Sequence, residues 1–430
     1  MGRVLCTSLP SHVGEEVIIR GWAHRVRSMG KVRFVLLRDR SGIAQVFCGG
    51  PLAKDPDIAS ESAVEVRGKV VSAPQTDLGC EVQASEMRLL SVKPDVLPFE
   101  VNLPAIETGL ENMLDHRVLS LRNPRARAAF TVQSEILEGF RRFLRGEGFT
   151  EVQTPKIVAT GTEGGAELFP VKYFEKAAFL AQSPQFYKQM LVGSGFERVY
   201  EIGHVFRAER HNTSRHLNEF VSLDLEMGFI NGLEDLLILE ERLLAHILEH
   251  LAAACDPELR LCGATLPQVD SIPRLKVSQI GEILRREYGK ELPGGSLDTE
   301  AERLIGEYAE RELGSQLVFA THYPSTARPM YSLPDPSDPS ITHTFDLLWK
   351  GMEMNSGGMR ISDPQQLAAN MRTFGLDPKD FESYLEVFRY GMPPHGGFAI
   401  GLERLTVRAL GLENIREASL FPRDRDRLTP

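Results

Sequence analysis

Residues 207 to 229 constrain the fold of this chain more than any other stretch. They read RAERHNTSRHLNEFVSLDLEMGF: an arginine and an acid at alternate positions, a polar basic loop, then alternating apolar residues. Because strand side chains alternate between two faces, the pattern predicts an antiparallel hairpin with Phe220, Asp224 and Glu226 on one face. Two interpretations are open: a hairpin that grips a polyphosphate through Arg207 and the loop cations, or an ordinary hairpin with a solvated basic loop.

The composition is that of a globular protein of two to three domains. The chain has 430 residues, of which 42% are hydrophobic, enough for sizeable cores. Its 5 cysteines are an odd number without CxxC spacing, so neither a disulfide framework nor a zinc site is predicted. The sequence shows no secretory leader pattern and no apolar run long enough to cross a membrane, so we expect a cytoplasmic protein.

The charge is unevenly distributed. A net charge of -10 argues against an unspecific nucleic-acid binder. Between Arg20 and Arg40, however, seven basic residues stand against one acid, Asp39. This local excess fits a module that meets nucleic acid on one face, and it fits equally an ordinary solvated face.

The first 100 residues predict a small β-barrel. Short alternating runs indicate five strands with little helix, at residues 16–23, 33–39, 44–48, 63–71 and 81–89. Five strands in so short a span indicate a Greek-key barrel of the OB type. We expect Arg33 and Phe34 to be exposed beside Gln45, where an aromatic ring and an amide would stack and read single-stranded bases. The alternative is that Phe34 belongs to the barrel core.

The remainder of the chain predicts helices around further strands. Helical periodicity marks residues 126–147 and 233–254, and in the run 179–189 it places Gln185 and Lys188 on one helix face. Residues 160–169 form a glycine-hinged loop, a candidate substrate lid. Residues 259–342 are interpreted as an insertion with mainly spacing and packing roles, with helices at 277–288 and 299–313 and a flexible proline-rich end at 334–339.

Three stretches resemble the three motifs of the class II aminoacyl-tRNA synthetases. They are Phe149–Pro155, the hairpin FERVYEIGHVFRAER to HLNEFVSLDLEM, and GMPPHGGFAIGLERL. Within that class, TEGGAELF, QSPQFYKQ and PPHGGFAIGLERL are similar to aspartyl-tRNA synthetases. The short insertion and the FPRDRDRLTP tail resemble the archaeal-type branch of that family.

The resemblance implies an α+β protein that works as a homodimer. Residues 1–100 would form an OB-fold anticodon-binding domain and residues 101–125 a linker. Residues 126–430 would form a class II catalytic domain, an antiparallel sheet flanked by helices, with the insertion at about 259–342. Pro155 matches the family's proline at the dimer interface.

The resemblance also assigns roles to individual positions. The catalytic residues would be Arg207, Arg404 and Glu353. Aspartate would be bound by Glu163, Gln185, Lys188, Arg207, Ser356 and Arg360. ATP would be bound by Arg207, Glu209, Arg215, His216, Leu217, Phe220, Glu353, Gly401 and Arg404. Magnesium would be bound by Glu353 and Ser356, and the tRNA anticodon would meet His24, Arg27, Phe34, Gln45 and Asp77.

Elementary chemistry agrees with these roles. In adenylate formation a carboxylate attacks a phosphorus and displaces pyrophosphate, so catalysis depends on positioning two anions and offsetting their charge. The sequence supplies arginines and oxygen ligands suited to Mg²⁺, and it shows no nucleophilic-serine elbow or Cys/His signature. Arg404 is expected in the first turn of a helix, where anions are favoured. We name no residue as the base of the second step, in which a tRNA ribose hydroxyl attacks the adenylate.

The pocket cations favour aspartate as the substrate. Lys188 and Arg360 would surround a side-chain carboxylate, whereas a neutral amide would leave two buried cations uncompensated. Lysine is excluded by its charge. The rivals are an asparaginyl-tRNA synthetase on the same scaffold, and a silent paralogue that only binds tRNA. A tRNA-independent amide-forming ligase would have no use for the barrel.

Two barrel positions predict relaxed tRNA selection. The chain resembles the archaeal-type enzymes, but the discriminating members of that branch carry tryptophan at the position of His24 (in GWAH) and tend to carry lysine at the position of Asp77. In those enzymes the tryptophan and the lysine help to select the third anticodon base. Their absence resembles enzymes that aspartylate both tRNA(Asp) and tRNA(Asn), after which an amidotransferase converts Asp-tRNA(Asn). The alternative is a discriminating enzyme that selects tRNA(Asp) through other positions.

Overall fold

The computed structural model describes residues 2–54, 58–161, 167–211 and 213–430. The chain divides into two compact units, Met1–Asn123 and Pro124–Pro430. Each unit has its own hydrophobic core. Within the described residues, none of the helices is long and apolar enough to span a membrane.

Unit 1 is a closed five-stranded barrel with strand order β1-β2-β3-β5-β4. The strands are β1 (Glu16–Met29), β2 (Val32–Arg38), β3 (Ile43–Gly49), β4 (Ala63–Ser72) and β5 (Cys80–Leu89). Alternate residues of β2 and β3, such as Val35, Leu37 and Val46, fill the barrel interior. The predicted small barrel is therefore confirmed, and short helices α1 (Leu110–Asp115) and α2 (Arg117–Ser120) follow it.

The sequence prediction for Arg33 is wrong. Arg33 and Phe34 are adjacent on β2 and must point to opposite faces. Arg33 is buried, whereas Phe34 is half-buried, lies outside the barrel core and packs edge-on against Phe47 at 5.6 Å between ring centroids.

Unit 2 is built on an eight-stranded sheet with order β12-β13-β14-β15-β16-β11-β10-β6. Neighbouring strands are antiparallel except β12–β13 and β10–β6, which are parallel. The strands are β6 (Thr150–Glu151), β10 (Arg198–Phe206), β11 (Glu219–Gly228), β12 (Arg274–Lys276), β13 (Leu317–Thr321), β14 (Thr344–Trp349), β15 (Met352–Met359) and β16 (His395–Gly401). A separate three-stranded sheet contains β7 (Ile157–Val158), β8 (Pro170–Tyr173) and β9 (Lys176–Leu180).

Helices cover the large sheet and close its core. They are α3 (Pro124–Gly146), α4 (Gln185–Leu191), α5 (Leu233–Ala254), α6 (Asp256–Cys262), α7 (Val277–Tyr288), α8 (Thr299–Glu312), α9 (Pro364–Thr373), α10 (Glu382–Arg389) and α11 (Leu402–Leu410). Apolar faces of α3 and α5, including Ile136, Phe140 and Leu243, pack with sheet residues such as Leu225 and Phe398. The α+β architecture expected for the catalytic domain is confirmed.

Residues 259–342 contribute to the large sheet and to a pocket, in addition to spacing and packing roles. They contribute β12 and β13 to the large sheet, and α7 and α8 pack with β13 in a core of their own. The segment after β13 also carries Arg328, Tyr331 and Ser332 to the pocket described below. The interpretation of this region as having mainly spacing and packing roles therefore leaves out its contribution to the pocket. Period-two and helical patterns identify its elements but not their neighbours in the sheet.

Candidate functional site

One pocket in unit 2 brings together residues from distant parts of the chain. Its floor is β11, β15 and β16, and its sides come from α4, the loop after β10, the segment after β13 and the start of α11. Among its lining residues are Gln185, Lys188, Arg207, Glu209, Arg215, His216, Leu217, Phe220, Glu353, Ser356, Arg360, Gly401 and Arg404. These are all the predicted catalytic, aspartate and ATP residues except Glu163, which lies outside the described residues.

The predicted hairpin forms one end of the pocket. Strands β10 and β11 pair in register from Arg198↔Met227 to Phe206↔Glu219. Arg207 follows β10 directly, and its guanidinium lies 5.6 Å from the ring centroid of Phe220. The loop histidine His216 has a pKa lowered by burial and by the neighbouring Arg404. This end therefore places the Arg207 guanidinium beside an aromatic face.

Two arginines at the hairpin end of the pocket donate hydrogen bonds to glutamates. The Arg215 Nη1 donates to Glu302 Oε2 at 2.9 Å, a contact from helix α8 that the sequence did not indicate. The Arg404 Nη1 donates to the backbone oxygen of Glu353 at 2.9 Å and to its Oε1 at 3.2 Å. Arg404 lies in the first turn of α11, as predicted.

The other end of the pocket is a buried network of charges. Lys188 Nζ lies 2.9 Å from Asp224 Oδ1 and 3.5 Å from Glu226 Oε2. The Arg360 Nε donates to Glu226 Oε1 at 3.0 Å, and its Nη2 donates to Gln185 Oε1 at 3.4 Å. Burial alone would raise the pKa of Glu226, but Arg360 and Lys188 hold that pKa below its ordinary value.

This network modifies the sequence argument about substrate charge. The cations Lys188 and Arg360 are paired with the acids Asp224 and Glu226, which also contribute charge to the pocket. All four side chains are almost fully buried. Because two cations stand against two acids, their charges nearly cancel. The acids are visible in the sequence at alternate positions of the hairpin, but their pairing with Lys188 follows from α4 packing against β11.

The carboxylate of Asp346 was missed by the sequence analysis. Asp346 lies opposite Ser356 across β14 and β15. Its Oδ2 accepts a hydrogen bond from Arg328 at 2.6 Å, and Arg328 also donates to Ser356 Oγ at 2.7 Å. The buried Oδ1 of Asp346 has no hydrogen-bond partner among the described residues.

These oxygens fit a magnesium ion. Burial and the neighbouring Asp346 raise the pKa of Glu353, as expected when two carboxylates share a site. Two carboxylates with a hydroxyl are the hard oxygen donors that Mg²⁺ prefers. Glu353 and Ser356 were predicted as ligands, and the unpartnered oxygen of Asp346 makes it a third candidate.

A second group of potential ligands lies beside this segment. Side-chain ligand atoms of His322, Asp335 and His343 lie within 4.8 Å of one another. His343 Nε2 is already 2.9 Å from Asp335 Oδ2, and Asp335 Oδ1 accepts from the turn at Ser337 and Asp338. We therefore infer that these three side chains have a structural role: they hold the two ends of the 322–343 segment together.

The predicted anticodon residues lie in unit 1, and four of the five are accessible. Arg27 pairs with Phe34 across β1 and β2, and Phe34 pairs with Phe47 across β2 and β3, so their side chains share the outer face. Gln45 lies on that face and donates from Nε2 to Glu81 Oε2 at 2.7 Å. Asp77 is exposed in the turn before β5.

His24 is buried in the barrel wall. It is 4% exposed, at a bulge where the register shifts between Ala23 and Arg25. Its Nδ1 lies 3.2 Å from Glu61 Oε1, and Glu61 also accepts two hydrogen bonds from Arg38. In this arrangement His24 offers no surface on which a base could stack.

The barrel, the antiparallel sheet and the pocket define a class II tRNA synthetase. Residues 109–425 match the family described as tRNA synthetases class II (D, K and N), and residues 17–90 match the OB-fold nucleic acid binding domain. Because the first match spans most of the chain, this protein belongs to the class II tRNA synthetases.

Two relatives and one solved structure show which synthetases of this class the chain is similar to. The chain is 50% identical over 429 residues to the aspartate--tRNA(Asp/Asn) ligase of Thermus thermophilus, with 100% of both chains covered. It is 42% identical to the aspartate--tRNA(Asp) ligase of Pyrococcus abyssi, with 97% of both covered. Among solved structures, the asparaginyl-tRNA synthetase of Pyrococcus horikoshii with asparaginyl-adenylate superposes with a TM-score of 0.93, at 32% identity and 100% coverage of both chains.

Proposed function

We propose that this protein attaches L-aspartate to tRNA in two steps, through an aspartyl-adenylate formed from ATP. The observation that carries the proposal is the single pocket in which a cationic, aromatic end adjoins a buried charged end. Its position on a class II synthetase sheet supports the reaction class. The first test is aspartate-dependent exchange between ATP and pyrophosphate, which must be present in the purified protein.

In the first step the chain's residues align two anions. Arg207, next to Phe220, is positioned to bind the α-phosphate and the attacking carboxylate while the ring stacks on adenine. Arg215, His216 and Arg404 would meet the outer phosphates, and Glu209, Leu217 and Gly401 would line the nucleotide. Bound Mg²⁺ would neutralise charge on the leaving pyrophosphate. Glu353, Ser356 and Asp346 would hold that ion.

The aspartate end would use Gln185, Lys188, Arg360 and Ser356, with Glu163 receiving the substrate ammonium. The paired acids of Lys188 and Arg360 keep both cations fixed in the pocket, where their remaining surfaces can meet a carboxylate. The closer relatives by sequence are aspartate ligases, which favours aspartate. Exchange driven by asparagine and not by aspartate would instead establish the asparaginyl alternative.

We propose that both tRNA(Asp) and tRNA(Asn) are charged. The withdrawal of His24 into the barrel wall leaves no aromatic surface at the position expected to select the third anticodon base. The name of the Thermus relative supports relaxed selection, whereas that of the Pyrococcus relative keeps the discriminating alternative open. Charging of separate tRNA(Asp) and tRNA(Asn) transcripts decides between them, since a discriminating enzyme would charge only tRNA(Asp).

The oligomeric state, the partner enzyme and the cellular location are proposed from the resemblance to the family. We propose a cytoplasmic homodimer with Pro155 at its interface, and an amidotransferase that takes up Asp-tRNA(Asn). The proposed domains remain 1–100, a linker at 101–125, and 126–430 with the region 259–342 inside it. Sedimentation equilibrium at micromolar concentration should give twice the chain mass, and a monomer would contradict the dimer.

A further inference from the structure

Strand β15 contains an irregularity at the ATP end of the pocket. Its pairing with β14 runs Asp346↔Ser356 and Leu347↔Asn355, and then shifts to Leu348↔Glu353. Met354 is therefore an extra residue, as in a β-bulge.

The bulge decides which side chains face the pocket. In a regular strand, residues three apart point to opposite faces. The extra residue reverses the alternation between Glu353 and Ser356, so that both line the pocket. Without the bulge, one of these two candidate ATP and magnesium residues would point into the core.

Two buried polar side chains hold the bulge from the helix side. The Oδ1 of Asn355 accepts the backbone N–H of Leu347 at 2.7 Å. The Nδ2 of Asn355 donates to Glu240 Oε2 at 2.7 Å. Asn355 is 2% exposed and Glu240 is 0% exposed, on the face of α5 that otherwise packs leucines against the sheet.

A carboxyl group at the position of Glu240 is costly and so calls for an explanation. Burial raises the pKa of Glu240 well above its ordinary value, and the hydrogen bond from Asn355 offsets this only in part. Its Oε1 has no hydrogen-bond partner among the described residues. A leucine in its place would suit the surrounding core but would leave the Asn355 amide without its acceptor.

We propose that Glu240 is a positioning residue for the ATP and magnesium end of the pocket, acting through Asn355 on the β15 bulge. Glu240 is fully buried and is not among the residues that line the pocket. The inference rests on the proposed function, because it assumes that Glu353 and Ser356 bind Mg²⁺ and ATP. Glu240 acts here through the hydrogen bond that its Oε2 accepts from Asn355.

The test compares Glu240→Gln and Glu240→Leu with Glu249→Leu, an exposed position of the same helix. Calorimetry measures the Kd of Mg²⁺-ATP without amino acid, and exchange kinetics give the KM for ATP and for aspartate. We expect Glu240→Leu to weaken Mg²⁺-ATP binding about tenfold, with the aspartate KM changed less than about threefold. Glu240→Gln should restore binding to within about twofold of the parent protein, since its amide oxygen accepts from Asn355.

Asn355→Ala provides a second variant and should weaken Mg²⁺-ATP binding as Glu240→Leu does. Parent-like Mg²⁺-ATP binding by folded Glu240→Leu, or equal losses in the Gln and Leu variants, would overturn the inference. A parent protein that binds Mg²⁺-ATP but shows no aspartate-dependent exchange would refute the proposed function, while the binding data would still decide the role of Glu240. A parent protein that does not bind Mg²⁺-ATP would refute both.

Discussion

At the scale of single residues, Glu302 is expected to make the stability of the fold depend on pH. Its pKa is raised to about 7, first by burial and then by the nearby Glu353, although Arg215 opposes the shift. The unfolded chain releases this proton near 4.5, so between about pH 4.5 and 7 the folded state binds more protons. Stability from this group is therefore complete below about pH 4.5 and is lost as the pH rises through about 7.

We expect Glu302→Gln to reduce this loss, because glutamine cannot ionise. The difference between 4.5 and about 7 sets an upper bound of about 3 kcal/mol on the effect. The measurement is the free energy of unfolding at pH 5 and pH 8 for the parent protein, Glu302→Gln and the control Glu307→Gln. Glu307 is exposed on the same helix. An equal pH dependence in all three proteins would contradict the assignment to Glu302.

Lys188 is expected to stabilise the fold as well as the pocket. Replacing it with methionine would leave Asp224 and Glu226 short of a buried cation. Breaking a buried pair in this way typically costs about 3–5 kcal/mol. Chemical denaturation at pH 7.5 should show a loss of this size in Lys188→Met and little change in Lys172→Met, an exposed control. Equal free energies of unfolding for the two variants would argue against this role of Lys188.

At the scale of elements, the close approach of β16 and β11 depends on glycine. A Cβ added to Gly397 would collide with the backbone oxygen of Leu225 and with Glu226 Oε2. These residues belong to the strand that holds the charged network, so β16 must move away to admit a methyl group. The glycines of the GMPPHGGFAIGLERL stretch are evident in the sequence, but only the structure shows that Gly396 and Gly397 have no room for a Cβ.

We therefore expect Gly397→Ala to lower the free energy of unfolding by about 1–3 kcal/mol, as overpacking does, and to raise the KM for aspartate. Gly146→Ala is the matched control, because a Cβ there meets nothing within 4 Å. Thermal unfolding and exchange kinetics check both effects. A Gly397→Ala protein with parent-like stability and KM would show that the two strands separate without cost.

At the scale of the whole molecule, the two units are expected to serve different steps. Phe34 lies in unit 1, and every residue of the pocket lies in unit 2. Stacking of a base on an aromatic ring is worth about 1–3 kcal/mol. Phe34→Ala should therefore lower kcat/KM for tRNA charging about tenfold or more and leave aspartate-dependent exchange unchanged. Val96→Ala, exposed in unit 1, is the control. Equal losses in charging and exchange would show that the substitution damages the protein generally.

The sequence by itself determined most of the elements and most of the pocket. Periodicity located helices such as Leu233–Ala254 and Val277–Tyr288, because local side-chain spacing sets which face is apolar. The motif stretches supplied Arg207, Phe220 and Arg404, which the structure brings together in one pocket.

Only the tertiary structure decided which polar side chains meet. The pairs Arg328–Asp346, Arg215–Glu302 and Glu240–Asn355 join residues 18, 87 and 115 positions apart. Their contact depends on strand order, helix packing and one extra residue in β15, none of which is encoded in local spacing. A one-residue shift in register reverses the faces of a strand, so the polar groups that share the pocket are defined only once the sheet has formed.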